Sequence, residues 1–159
     1  MKPRPPTLRP RRRYILARID PVWVSPDTRS VFTAIQDAAT ALYGDRLTAR
    51  MEPAVIAAEA GHVVIRCRRG TERELATACA TVTEAGGIPI AIRPRSTSGT
   101  IATLRGKIPA LQVEEGEPVI LDGREYRARY MPRQKVDLSA TGTTHQELLF
   151  FSTTDLEEI

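Results

Sequence analysis

Cysteine and histidine are almost missing from this chain, with two of each in 159 residues. Cys67 falls in a strand-like run and Cys79 in a helix-like one, too few for a disulfide framework or a four-ligand zinc site, so both read as buried thiols. His62 also sits in a strand-like run. His145 lies in Thr144-His145-Gln146-Glu147, which lacks the His-Glu-x-x-His spacing that aims two imidazoles at one metal. There is no nucleophile elbow, and Ser98-Gly99-Thr100 has neither the glycine spacing nor the following lysine of a phosphate-binding loop. Long apolar runs are missing too: Tyr14 to Ile19 is short and broken by Arg18, so neither a signal peptide nor a membrane span is readable, and a cytoplasmic location is expected. These absences leave no self-contained active site.

What is abundant is arginine, and it is unevenly placed. The first nineteen residues hold seven bases and no acid, whereas Asp155, Glu157 and Glu158 crowd the last five positions. Residues 1–12 form a proline-stiffened basic arm carrying Lys2, Arg4, Arg9, Arg11 and Arg12; Arg13 then leads directly into a strand. Guanidinium groups grip phosphate through a planar donor fork and release condensed counterions, so an arm of this kind points to a polynucleotide; a merely solvated tail is the alternative.

The length suits one compact domain with appendages. Tyr14 to Ile19 alternates as a strand. Asp27 caps a helix with Val31, Ile35, Ala38, Ala39 and Leu42 on one stripe, closed at Gly44. Leu47 to Ala60 reads as an edge strand containing Pro53, joined by a turn at Ala60-Gly61 to the strand His62–Arg68. Thr71 and Glu74 fit a capping box for a second helix whose stripe is Leu75, Ala78, Cys79, Val82 and Ala85. Gly86-Gly87 ends it before a fourth strand, Ile88 to Arg93. Strand, helix, strand, strand, helix, strand is the pattern of an α+β, ferredoxin-like (βαββαβ) antiparallel sheet with its helices on one face, over residues 13–108. Thr100 opens a short third helix with Ile101, Leu104 and Ile108 on one side. The C-terminal extension, 109–159, carries a hairpin around Asp122-Gly123, a loop from Gln134 to Thr144, and a short strand from Leu148 to Phe151.

In that topology the first and third strands are central. Alternation turns Ile15, Ala17 and Ile19 to the helices, with Ile88, Ile90 and Ile92, and leaves Arg18, Arg66, Arg68 and Arg93 on the other face. RNA recognition motifs share the topology but stack bases on aromatic side chains of the central strands, and His62–Arg68 has no aromatic ring. Phosphate or shape recognition of folded RNA therefore fits better than base stacking. The third helix is the competing occupant of that face, since Tyr14, Leu16 and Val64 invite an apolar cover.

The segments "KPRPPTLRPRRRYILARI", "AIQDAATALYGD", "VVIRCRR" and "STSGTIATLRGKI", in this order and spacing, resemble the archaeal ribonuclease P protein component 2 family over about residues 1 to 108. The resemblance implies a non-catalytic protein subunit of ribonuclease P, which removes the 5′ leader of precursor tRNA while its RNA subunit performs the hydrolysis with magnesium. The protein itself would bind no cofactor. Its expected partners are the ribonuclease P RNA, precursor tRNA, the TIM-barrel protein component 3, with which it would form a heterotetramer, and the other ribonuclease P proteins; no membrane is implied. The candidate RNA-binding residues are Lys2, Arg4, Arg9, Arg11, Arg12, Arg13, Arg66, Arg68, Arg69, Arg93, Arg95, Arg105 and Lys107, screening repulsion between packed RNA helices. A ribosomal-protein-like binder of rRNA is the nearest alternative. An acylphosphatase-like hydrolase would need a glycine-rich phosphate cradle after the first strand, and Asp20-Pro21-Val22-Trp23-Val24-Ser25 offers none; a ligand-sensing regulatory module would need a loop glycine and a fused catalytic domain.

Overall fold

The computed structural model of the chain describes residues 5, 7, 10–142 and 147–158, so Lys2, Arg4, Arg9 and His145 lie outside the described residues. Two compact units divide the chain, Met1–Pro109 and Ala110–Ile159. The first contains β1 (Arg12–Asp20), α1 (Thr28–Met51), β2 (Ala54–Glu59), β3 (His62–Arg68), α2 (Glu72–Ala80), β4 (Glu84–Ala85), β5 (Ile88–Pro89), β6 (Ala91–Ser98) and α3 (Ile101–Arg105). Its four-stranded sheet has the order β2-β3-β1-β6, every pair antiparallel, which is the ferredoxin-like arrangement with β1 and β3 central.

Alternation along β1 decides what each face does. Ile15, Ala17 and Ile19 meet Val63, Ile65 and Cys67 of β3, Ile92 of β6, and Val31, Ile35, Ala39, Leu75 and Ala78 from α1 and α2 in one buried core. Fully burying each large aliphatic chain there contributes roughly 1.5–3 kcal/mol, which is what holds α1 and α2 to the sheet. The Ala60-Gly61 turn between β2 and β3 requires positive φ at both positions, 50° and 72°. Only a residue without Cβ fits the second, because a Cβ at Gly61 would stand 2.7 Å from the carbonyl oxygen of Val22.

Several elements differ from the sequence expectation. Gly44 interrupts α1 (φ 77°, ψ 169°) but does not close it: helix resumes through Leu47 to Met51, with the Thr48 hydroxyl donating to the Gly44 carbonyl, and ends at Glu52 in the left-handed region. The segment before Pro53 is therefore helical, and β2 begins only at Ala54. No capping box forms at Thr71, whose hydroxyl donates to the Arg68 carbonyl, while Glu72 rather than Glu74 accepts a backbone N–H, from Gly70. α2 stops at Ala80, where Thr81 turns its hydroxyl back onto Ala78 O; Val82 and Ala85 still reach the core, from a non-helical backbone. Gly86 and Gly87, both at positive φ, form the turn of the small β4–β5 hairpin, so the fourth sheet strand is displaced to Ala91–Ser98. Pro94 lies in that edge strand beside a bulge, where a missing N–H costs no ladder bond.

The second unit holds β7 (Glu114–Glu115), β8 (Val119–Leu121), β9 (Arg124–Met131), β10 (Lys135–Ala140), β11 (Leu148–Ser152) and α4 (Thr153–Glu157). β8 and β9 pair across Asp122-Gly123, both at positive φ as a tight hairpin turn demands. β10 occupies part of the stretch expected to be loop. Its Val-Asp-Leu-Ser alternation is half polar, but Val136 and Leu138 join Tyr126 and Ala128 in a core under one sheet face, and this burial makes the strand. The order is β11-β10-β9-β7, with β8 also on β9.

Candidate nucleic-acid interface

The charge of the first unit is sorted by layer. Seven of the nine acids in residues 1–109 stand on or beside the helices and the β4–β5 hairpin (Asp27, Asp37, Asp45, Glu52, Glu72, Glu74, Glu84), against four arginines there (Arg29, Arg46, Arg50, Arg73). Of the other fourteen Lys and Arg, Lys2, Arg4 and Arg9 lie outside the described residues and Arg13 faces the helices; the remaining ten stand in the end of the arm, the sheet strands with their turns, and α3 with its tail, against Asp20 and Glu59 alone. A polyanion is thus attracted to the sheet side and repelled by the helical side.

The outer sheet face is not one continuous arginine field. Leu104 of α3 is fully buried on Leu16 and Val64, with Tyr14, Ile56 and Ile108 around them, so the third helix covers the middle of the face. The register places Arg18 opposite His62 and Arg93 at one end, and Tyr14 opposite Arg66 and Ser98 toward the other. Tyr14 and Arg18 are four residue steps apart along β1, about 13 Å at the usual strand rise. The four arginines expected to converge are instead split into two groups flanking α3.

At the first end Asp20 Oδ2 accepts from Arg18 Nη2 at 2.7 Å and from Arg93 Nε at 2.6 Å. One carboxylate thereby holds two guanidiniums together while leaving a net positive charge, and Arg93 remains exposed. Asp20 is not among the residues that sequence reasoning singles out, although its place two residues from Arg18 on the same strand face is a legible sign. His62 is buried and its Nδ1 lies 2.9 Å from Ala60 O, a turn-supporting contact. At the second end Arg68 and Arg69 are exposed and Arg66 is half-buried, its Nε without a hydrogen-bond partner among the described residues. Arg11 is exposed just before β1.

Two residues of the candidate set are engaged inside the fold. Arg13, opposite Cys67, faces the helices and its Nε donates to Glu72 Oε1 at 3.1 Å. Arg12 pairs with Glu52 at 2.7 Å. Arg95 at the β6 bulge, Arg105 and Lys107 are exposed, and Lys107 Nζ donates to Ser96 Oγ at 2.9 Å, tying the end of α3 to β6. Thr100 caps α3, accepting from Thr103 N.

The thiols are chemically quiet. Burial raises Cys67 to about 11 and Cys79 to about 12. Among the described residues no group of three or more His, Cys, Asp and Glu could hold a metal ion, and no helix is long and apolar enough to cross a membrane.

The sequence model of the Rpp14/Pop5 family matches residues 13–108, the ferredoxin-like core with α3. This chain belongs to that family. Ribonuclease P protein component 2 of Methanoculleus marisnigri is 46% identical over 159 residues, covering 99% of both chains, and its namesake from Methanosphaerula palustris is 44% identical over the same span. Both alignments run through the C-terminal unit, which the family model does not reach. Among solved structures, a chain of yeast ribonuclease MRP superposes with a TM-score of 0.46 at 14% identity, over 57% of this chain and 75% of that one.

Proposed function

We propose that this chain is a protein subunit of ribonuclease P that binds and stabilises the catalytic RNA. The sorting of charge in the first unit carries the reading: the sheet side, the arm and α3 gather nearly all the excess cation, and the helical side is net acidic. The RNA phosphates would lie along Arg66, Arg68 and Arg69 at one end of α3 and Arg93 and Arg95 at the other, with Arg105 and Lys107 between and the arm of residues 1–12 extending the contact. Its prolines reduce the conformational freedom lost on docking. Arg12 and Arg13, held by Glu52 and Glu72, fix the root of the arm to the fold.

In this reading the protein supplies no general acid or base. It lowers the repulsion between packed RNA helices, and the magnesium-dependent hydrolysis belongs to the RNA subunit. The acidic helical layer is suited to a protein neighbour, and component 3 is the partner that the family resemblance offers for it.

The test is reconstitution of the RNA subunit with component 3, scoring leader removal from a precursor tRNA with and without this chain at limiting magnesium. The chain should lower the magnesium needed for a given rate. Cleavage by the RNA-free protein, or an unchanged magnesium requirement, refutes the proposal, and co-sedimentation with ribosomes without processing activity would favour the rRNA-binding alternative.

A further inference from the structure

The C-terminal unit has the opposite electrostatic character to the domain that precedes it. Residues 110–159 hold ten acids and five bases, a net charge of −5, where residues 1–109 hold eighteen bases and nine acids, a net +9. A surface of that sign is repelled by phosphate, so the RNA reading of the first unit does not extend to the second. It is nevertheless a built fold with its own core of Tyr126, Ala128, Val136 and Leu138, and it is shared along its length with both relatives.

Its edge is unusual in what it presents. β11 lies at the end of the sheet, paired to β10 alone among the described strands. Leu149 and Phe151 turn into the core, and Leu156 of α4 packs with them on that same face, so α4 supports the strand from beneath. Phe150, on the opposite face, is 67% exposed, a large aromatic ring left in water. Natural sheets blunt such edges with lysine, proline or a bulge; this one has none within Leu148–Ser152. Glu147, immediately before the strand, is paired with Arg124 at 3.3 Å, and Lys135 lies opposite Ser152, but the chain just after the strand is acidic, with Asp155, Glu157 and Glu158. Hydrogen bonds from Ser152 to the Asp155 carboxylate hold that acid below the usual carboxylate range.

We propose that β11 is a docking edge for an extended, cationic protein segment, which adds a strand beside Leu148–Ser152, packs an apolar side chain on Phe150 and sets its Lys or Arg side chains against Asp155, Glu157 and Glu158. Strand addition draws its affinity from main-chain hydrogen bonds and its selectivity from alternate side chains, and here the acidic rim selects for cations. In a ribonucleoprotein the effect would be to recruit a basic protein through the unit that RNA avoids. Nothing in this edge depends on how the first unit meets RNA.

The experiment uses the full chain and a fluorescein-labelled peptide of alternating lysine and valine, with binding followed by anisotropy. An arginine-proline peptide of equal charge, which cannot add a strand, is the first control. The alternating peptide should bind and the proline peptide should bind at least tenfold more weakly; Phe150→Arg and the double variant Glu157→Lys/Glu158→Lys should each weaken the alternating peptide by about tenfold, in the range of interface hot spots. Ile120→Arg, an equally exposed site on β8 at the far side of the sheet, should leave it unchanged. Because the glutamate pair is exposed, the double variant still reports on the edge if Phe150→Arg disturbs the fold. Equal binding of the two peptides, undiminished binding by both edge variants, or competition for the edge by an RNA hairpin would overturn the proposal.

Discussion

Replacing Arg68, Arg93 and Arg95 together with alanine tests the sorting of charge directly. All three are on the sheet side, in β3 and β6, and none supports the core. Removing one guanidinium from a phosphate should reduce the slope of log affinity against log salt by about 0.9 for duplex sites, or about 0.7 for single strands. Three such removals give a reduction of roughly 2 to 2.7. Arg93 contributes the smallest share, because Asp20 already neutralises part of its charge and keeps Arg18 as a partner when Arg93 is removed. At 0.1 M salt the same change corresponds to about a hundredfold weaker binding. The assay is filter binding or anisotropy with the ribonuclease P RNA across a series of monovalent salt concentrations, quoted as a slope. The matched control is Arg29→Ala/Arg46→Ala/Arg50→Ala, which removes the same charge from exposed positions of α1. Its slope should stay at the wild-type value. Equal reductions of slope in the two variants would show that only net charge matters and would refute the argument that the sheet side faces RNA.

Packing and the titration of the thiols give three more expected outcomes. Leu104→Ala should cost about 2–5 kcal/mol in urea unfolding, nearer the lower figure because a five-residue helix can settle into the space, and it should bare Leu16 and Val64 to a hydrophobic dye. Gly61→Ala combines a positive φ with a Cβ 2.7 Å from Val22 O, so a decrease of about 1–3 kcal/mol in stability is expected, and a neutral substitution would refute so tight an approach of the β2–β3 turn to Val22. Cys67 and Cys79 should resist alkylation at pH 8 in the native chain and react fully in denaturant. Their raised folded values, about 11 and about 12, mean that the folded state holds its thiol protons more tightly than the unfolded state does. The resulting stability is intact below about pH 9 and declines as pH climbs from there toward 11, a decline that Cys79→Ala should lessen.

The order of the main elements of the first unit and the sides of its central strands are local properties, and both could be read from the chain alone. Alternation of Ile15, Ala17 and Ile19 with Leu16 and Arg18 belongs to β1 itself, and it names the core face correctly. The Ala60-Gly61 and Asp122-Gly123 turns are legible because positive φ restricts residue type at the turn itself. Where helices stop and strands start is less so. Gly44 is a local break, but whether the chain leaves the helix there or resumes it depends on Met51 and Thr48 finding burial. β10 shows the same limit in reverse, since a half-polar segment becomes a strand only when Val136 and Leu138 meet a core assembled from β9 and β11.

For the candidate site, composition announces the arginines, but which of them are available is a tertiary matter. Arg13 turns to Glu72 and Arg12 to Glu52 across separations that no local pattern reports. Asp20 gathers Arg18 and Arg93 only because β1 and β6 lie side by side. Leu104 divides the arginine face because α3 folds back over Leu16 and Val64, which periodicity offers as one alternative and cannot choose. Charge and alternation are written residue by residue along the chain; solvent access and ion pairing arise between distant segments, and only their packing assigns them.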